Sequence, residues 1–246
     1  MILARITKAI REQNWFAVVL EFIIVIAGVV IGFQVTEWRG ERADRESERT
    51  YLARLHRDMV QSTCALQHNA AATESWNIRA RRTLDALLVN DPDAVDDTGF
   101  ELIASTRVMT GSVNRATLNE LVNGGQMNLI SNDTLRARIA EADAAFTADD
   151  ELIQVLVGAQ ASFVRDVQNR LRPTPGEVYR ITYDFDTLAA DETFLNALGH
   201  ALRITYVNTA WLSRMAETAD ALRVDLAAEI GADTGALNCE TLGDAP

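Results

Sequence analysis

Residues 15–33, WFAVVLEFIIVIAGVVIGF, form one apolar run broken only by Glu21. About 20 such residues cross the hydrocarbon core of a bilayer as a helix, so the run predicts a single transmembrane helix over 15–35. Trp15 opens it and Trp38 follows it, which puts an amphipathic indole at each membrane surface as an interface anchor. The run is longer than the apolar part of a signal peptide and no A-x-A cleavage site follows. An uncleaved signal anchor is therefore expected.

Glu21 needs a reason, because a carboxylate at mid-helix costs about 2.5–3.5 kcal/mol on insertion scales. At 100° per residue, Asn14, Glu21, Gly28 and Gly32 fall on one stripe. Gly28 and Gly32 make a GxxxG, which lets a second helix approach closely, and Glu21 can share a hydrogen bond across such a contact. The stripe predicts contact with a membrane-protein partner or a second copy through the transmembrane helix. The competing readings are a carboxylate that snorkels to the lipid surface and an ion or proton path.

Charge separates the two parts of the chain. Segment 1–38 holds three basic and three acidic residues, so the whole net charge of −12 falls on the remainder. A strongly acidic domain argues against nucleic acid or anionic lipid as its main partner. Arg5, Lys8 and Arg11 precede the apolar run, and short basic segments stay in the cytoplasm. Residues 1–14 are thus expected as a cytoplasmic head, and residues 36–230 as an extracytoplasmic helical bundle with an irregular tail at 231–246. The expected location is a bacterial inner membrane, spanned once, with the main domain in the periplasm. Cys64 and Cys239 could form a disulfide there, tying the tail to the bundle, or remain two thiols.

The domain reads as long helices. Gly40 is the expected hinge behind the membrane segment. Leu52, Met59, Leu66, Thr73, Ala80 and Leu87 recur every seven residues, a bundle-facing stripe that Asn90, Asp91 and Pro92 end. Thr98 and Glu101 form a capping box for a second helix, interrupted at Gly111 and Ser112. A heptad register runs from Asp133 to Leu171 through Ile139, Phe146, Ile153, Gln160 and Val167, with Asp149 spoiling one site. Pro173, Pro175 and Gly176 stop it. Tyr179, Ile181, Tyr183 and Phe185 alternate as in a strand, but with no evident partner strand residues 177–190 are expected as a connector packed across the end of the bundle. Leu195, Leu198, Leu202, Leu212, Ala219 and Leu226 mark a final helix from Glu192 to Ile230. The expected fold is all-α: one N-terminal transmembrane helix, then an antiparallel bundle of long helices.

Between Asn114 and Phe146 the chain reads NRATLNELVNGGQMNLISNDTLRARIAEADAAF. With Trp15, Leu20, Glu21 and Trp38 of the first segment, the residues Leu121, Gly125, Leu129, Ile130, Leu135 and Arg136 resemble the motif pattern of a family of bacterial single-pass membrane proteins catalogued only as a domain of unknown function. The resemblance covers roughly residues 8–145 and rests on motifs alone. It implies a membrane anchor and an α-helical extracytoplasmic domain, and supplies no activity. Met127 and Asn128 stand where the pattern is more apolar.

Motifs for chemistry are lacking. No HExxH, CxxC, GxSxG or GxxxxGK[ST] occurs, so metal, redox, acyl-transfer and phosphate-binding readings have no anchor. His68 lies four residues after Cys64, a spacing that suits a shared metal but offers only two ligands. The acidic groups Asp91, Asp93, Asp96 and Asp97, and Asp184, Asp186, Asp191 and Glu192, are read as caps and solvated turns instead of ligands. No cofactor and no catalytic or metal residue is expected. The expected function is a non-enzymatic accessory or scaffold subunit; the alternative is a ligand-sensing bundle that signals through a partner protein.

Overall fold

The computed structural model describes residues 15–95, 99–111 and 113–239. The chain divides into two units, Met1–Arg49 and Thr50–Pro246. It is mainly helical, with one small two-stranded sheet.

Helix α1 spans Trp15–Val89 and passes through Gly40 without a break, so the hinge expected there is absent. A single glycine costs a helix interior about 1 kcal/mol, too little to interrupt a helix this long. In the second unit, α1 carries its seven-residue stripe inward: Leu52, Leu55, Met59, Leu66, Thr73, Ala80 and Leu87 are all buried.

The other long elements are α4 (Asp133–Gln168) and α6 (Glu192–Ile230), with the short helices α2 (Phe100–Ala104), α3 (Ala116–Asn123) and α5 (Phe185–Ala189) between them. Helix α4, about 54 Å long at 1.5 Å per residue, runs antiparallel to α6: Asn132 meets Glu229, Asp149 meets Arg214, and Arg170 meets Asp191. Asn77 of α1 meets Thr205 and Thr209 of α6.

Helix boundaries follow their caps. Asn132 accepts hydrogen bonds from the amides of Thr134 and Leu135 at α4, and Asp191 accepts one from Phe194 at α6. Gly231 closes α6 at φ 73, the left-handed conformation a helix C-terminus favours. The sequence places α6 to the residue.

Two further expectations fail. Glu177–Thr182 (β2) does have a partner, Arg172–Thr174 (β1), in antiparallel register with Arg172 opposite Thr182 and Pro173 opposite Ile181. The partner is the segment read only as a helix stop: Pro175 and Gly176, at φ 84, turn the chain back on itself, and a proline is tolerated in a strand with no second neighbour. The region after it is short helix α5, capped by Asp184 on the Thr187 amide. The second helix also stops early, at Ala104, well short of Gly111. Its start is fixed by Gly99 at φ 59, where a Cβ would lie 3.0 Å from the Tyr183 ring. Thr98 and Ser112 fall outside the described residues.

Two apolar clusters form the core. One gathers Leu52–Ala70, Leu118–Ile153 and Leu212–Leu226; the other gathers Ala80–Leu87, Leu102, Val167–Leu171 and Phe194–Leu202. Polar side chains lie among the same helices: Asn77 accepts from Thr205 at 2.8 Å, Asn208 brackets the Met109 backbone at 2.9 and 3.0 Å, and Gln160 donates to the Thr106 carbonyl at 3.0 Å. Buried groups of this kind need such partners to be tolerated.

Candidate functional site

Among the described residues one helix is long and apolar enough to cross a membrane; it lies near the N-terminal end, and the mean hydropathy of its most apolar 18-residue window is 2.3. Its side chains are uncovered: Phe22, Ile24 and Phe33 are 62–73% exposed. Glu21 is exposed within this surface. Apart from its own and the adjoining turns of the helix, no described atom lies within 4 Å of the Cβ positions of Gly28 or Gly32, so none of the described residues fills the space beside them. Thr36 extends the line and donates its hydroxyl to the Gly32 carbonyl at 2.9 Å, which satisfies the hydroxyl inside the helix. Asn14, the other member of the stripe, lies outside the described residues, and Trp15 opens the helix. Trp38 is exposed, with the Arg42 guanidinium 5.8 Å from its ring centre, a cation–π contact.

Cys64 and Cys239 form a disulfide with a Cα–Cα distance of 5.3 Å, so the two-thiol reading is set aside. The bond also removes the Cys64–His68 pair as metal ligands. Among the described residues, no group of three or more His, Cys, Asp and Glu side chains is placed to hold a metal ion.

The motif residues of the resemblance serve one corner of the bundle. Leu121, Ile130 and Leu135 are buried in the first cluster, and Leu129 is half-buried. Gly125 takes φ 71 at the break between α3 and the 3-10 turn Gln126–Leu129, a conformation glycine adopts without strain. Arg136 donates to the Ile130 carbonyl at 2.5 Å and pairs with Asp133. These contacts fix how the chain enters α4. They are architectural.

Other anchors escaped the sequence reading. Arg115 pairs with Asp143 and with Asp150 and donates to Thr147 at 2.8 Å, binding the chain before α3 to α4. The 143, 147, 150 spacing on one helical face was visible in the sequence; its guest was not. Asp58 and Ser62 of α1 hold the backbone and side chain of Asn114. Asp149, expected to spoil a heptad site, is buried and paired with Arg214, which also stacks over Trp211 at 4.7 Å.

Titration follows the same geometry. Partial burial, and then the Arg223 guanidinium, hold His56 below its usual value. The Asp191 carboxylate is lowered first by its hydrogen bond from Arg170 and then by the Phe194 amide, and Asp184 is lowered chiefly by the Thr187 amide it caps. Both carboxylates act as caps, which favours their ionised form.

A surface hollow of about 250 Å³, bordered by Pro92, Arg180, Tyr183 and Phe185, lies beside the hairpin. Among the described residues, no reactive pair converges on it. No family model matches this chain, and no curated protein or solved structure is similar to it.

Proposed function

We propose that the chain is a membrane-anchored accessory or scaffold subunit without enzymatic activity, holding partner proteins through its membrane helix and a periplasmic helical domain. The observation that carries this reading is the Glu21–Gly28–Gly32 face: a costly carboxylate and two close-approach glycines on one side of an uncovered apolar helix. A helix of this kind left in water would expose far more contiguous apolar surface than soluble monomers tolerate. The Cys64–Cys239 bond supports an oxidising compartment, since such bonds persist outside the cytoplasm. The orientation then follows: residues 1–14 cytoplasmic, the membrane helix in a bacterial inner membrane, and the acidic bundle in the periplasm. Membership in the family of single-pass proteins that the motifs resemble is part of this proposal.

Extraction of the full chain in mild detergent, followed by native mass spectrometry, tests it. The expected result is co-extraction with stoichiometric partner chains, lost in Glu21→Leu and in Gly28→Ile with Gly32→Ile. Recovery of the chain without any other polypeptide, unchanged by these variants, would overturn the proposal.

A further inference from the structure

The stretch after the membrane helix mixes charges in sequence and, apart from Arg39 and Glu46, sorts them into two lines in space. On α1, Trp38, Arg42, Arg45 and Arg49 lie within about 60° of one another, while Glu37, Glu41 and Asp44 form a second line, roughly 100° away at 100° per residue. All seven belong to one unbroken helix and are exposed. Glu48, next on the acidic line, is buried. Arg45 and Glu41 pair at 3.2 Å, but with side chains 72% and 57% exposed, and such pairs add little. Arg42 lies over Trp38. Trp38, Glu41, Arg42, Arg45, Glu46 and Arg49 also border an open groove of about 510 Å³.

We infer that this segment pairs side by side with a second copy of the same chain. The inference rests on the membrane-anchor reading above, because a common embedding depth sets two parallel copies in register. In that register Arg42 of one copy stands level with Glu41 of the other, and Arg45 with Asp44, each offset by one residue, or about 1.5 Å along the axis. Acidic and basic lines meet in these two rows without a shift along the axis. Anionic lipid is the weaker fit: Arg45 and Arg49 stand roughly 10 and 16 Å beyond Trp38 at 1.5 Å per residue, past the headgroups if Trp38 marks the interface. Like-charged rows would repel, so the same lines select the parallel, in-register partner.

The test uses full-length chains labelled with donor or acceptor dyes at the N-terminal amine and reconstituted in phosphatidylcholine vesicles. Two variants are compared with the unaltered chain: Arg42→Glu with Arg45→Glu, acidic on both lines, and Glu41→Arg with Asp44→Arg, basic on both. Helical content by circular dichroism checks that each has folded. The unaltered chain should show energy transfer that 0.5 M salt weakens. Each variant alone should associate about tenfold more weakly, the size expected for losing a few exposed pairs and adding like-charge contacts. The two variants mixed should recover the transfer. Variants that self-associate like the unaltered chain, a mixture that fails to recover, an unaltered chain that is monomeric, or transfer that needs anionic lipid would each overturn the inference. The Gly28→Ile, Gly32→Ile extraction reads the proposed function separately, since it scores other polypeptides and not copies of this chain.

Discussion

Replacing Cys239 by Ser should cost the second unit several kcal/mol of stability. The bond joins residues 175 positions apart, and on the chain-entropy treatment closing a loop of that size removes about 5 kcal/mol of freedom from the unfolded state, with native disulfides typically delivering about 2–5. The tail itself adds little, for residues 231–236 are exposed. A loss of about 3 kcal/mol would lower Tm by roughly 6–12 °C in a domain of this size. The assay is thermal and urea unfolding of the full chain in detergent, followed by circular dichroism, for the native protein, the native protein with reductant, Cys239→Ser, and Cys64→Ser with Cys239→Ser. The three lacking the bond should agree within about 0.5 kcal/mol, since Cys64 contributes little beyond the bond. A change below about 1 kcal/mol in all three would refute the loop-closure reasoning.

Other consequences concern the core and its charges. Gly111→Ala would set a Cβ 2.5 Å from Leu66 Cδ2 and 2.8 Å from Leu212 Cδ2; both leucines are buried, so urea unfolding should show a loss of about 1–3 kcal/mol from overpacking. Arg214→Ala leaves buried Asp149 unpaired and should cost about 1–3 kcal/mol, less than a fully buried pair because Arg214 is half exposed. Asp149→Leu in that background should restore most of the loss, since leucine suits the heptad site. His56 is held below its usual value of 6.5, so the unfolded chain binds its proton first. Stability should therefore fall as pH drops below about 6.5 toward the folded value and be independent of this group above it; unfolding midpoints of His56→Gln across pH 5–8 should lack that component.

Much of the architecture was legible because it depends on period. The stripe from Leu52 to Leu87 and the run from Leu195 to Leu226 face the core because apolar residues at helical spacing have one way to leave water. Capping by Asn132, Asp184 and Asp191 was equally local. What escaped was non-local. Pro173 signals a stop, yet whether it also pairs with Ile181 depends on Pro175 and Gly176 turning the chain tightly. Gly111 looked like a helix breaker, while its role is to fit between Leu66 and Leu212, residues 45 and 101 positions away. Asp149 looked like a defect because Arg214 lies 65 residues on. At the candidate site, the alignment of Glu21, Gly28 and Gly32 follows from helical spacing alone. The sorting of Glu37, Glu41 and Asp44 against Arg42, Arg45 and Arg49 needed the unbroken helix through Gly40.

The central claim is that one helix anchors the chain in a bilayer with the acidic bundle outside the cytoplasm. Protease protection in spheroplasts and inverted membrane vesicles, combined with alkaline carbonate extraction, tests it most directly. The account predicts a chain that resists extraction and whose bundle is digested by protease added to spheroplasts but protected in inverted vesicles. Release by carbonate, or digestion only in inverted vesicles, would contradict it.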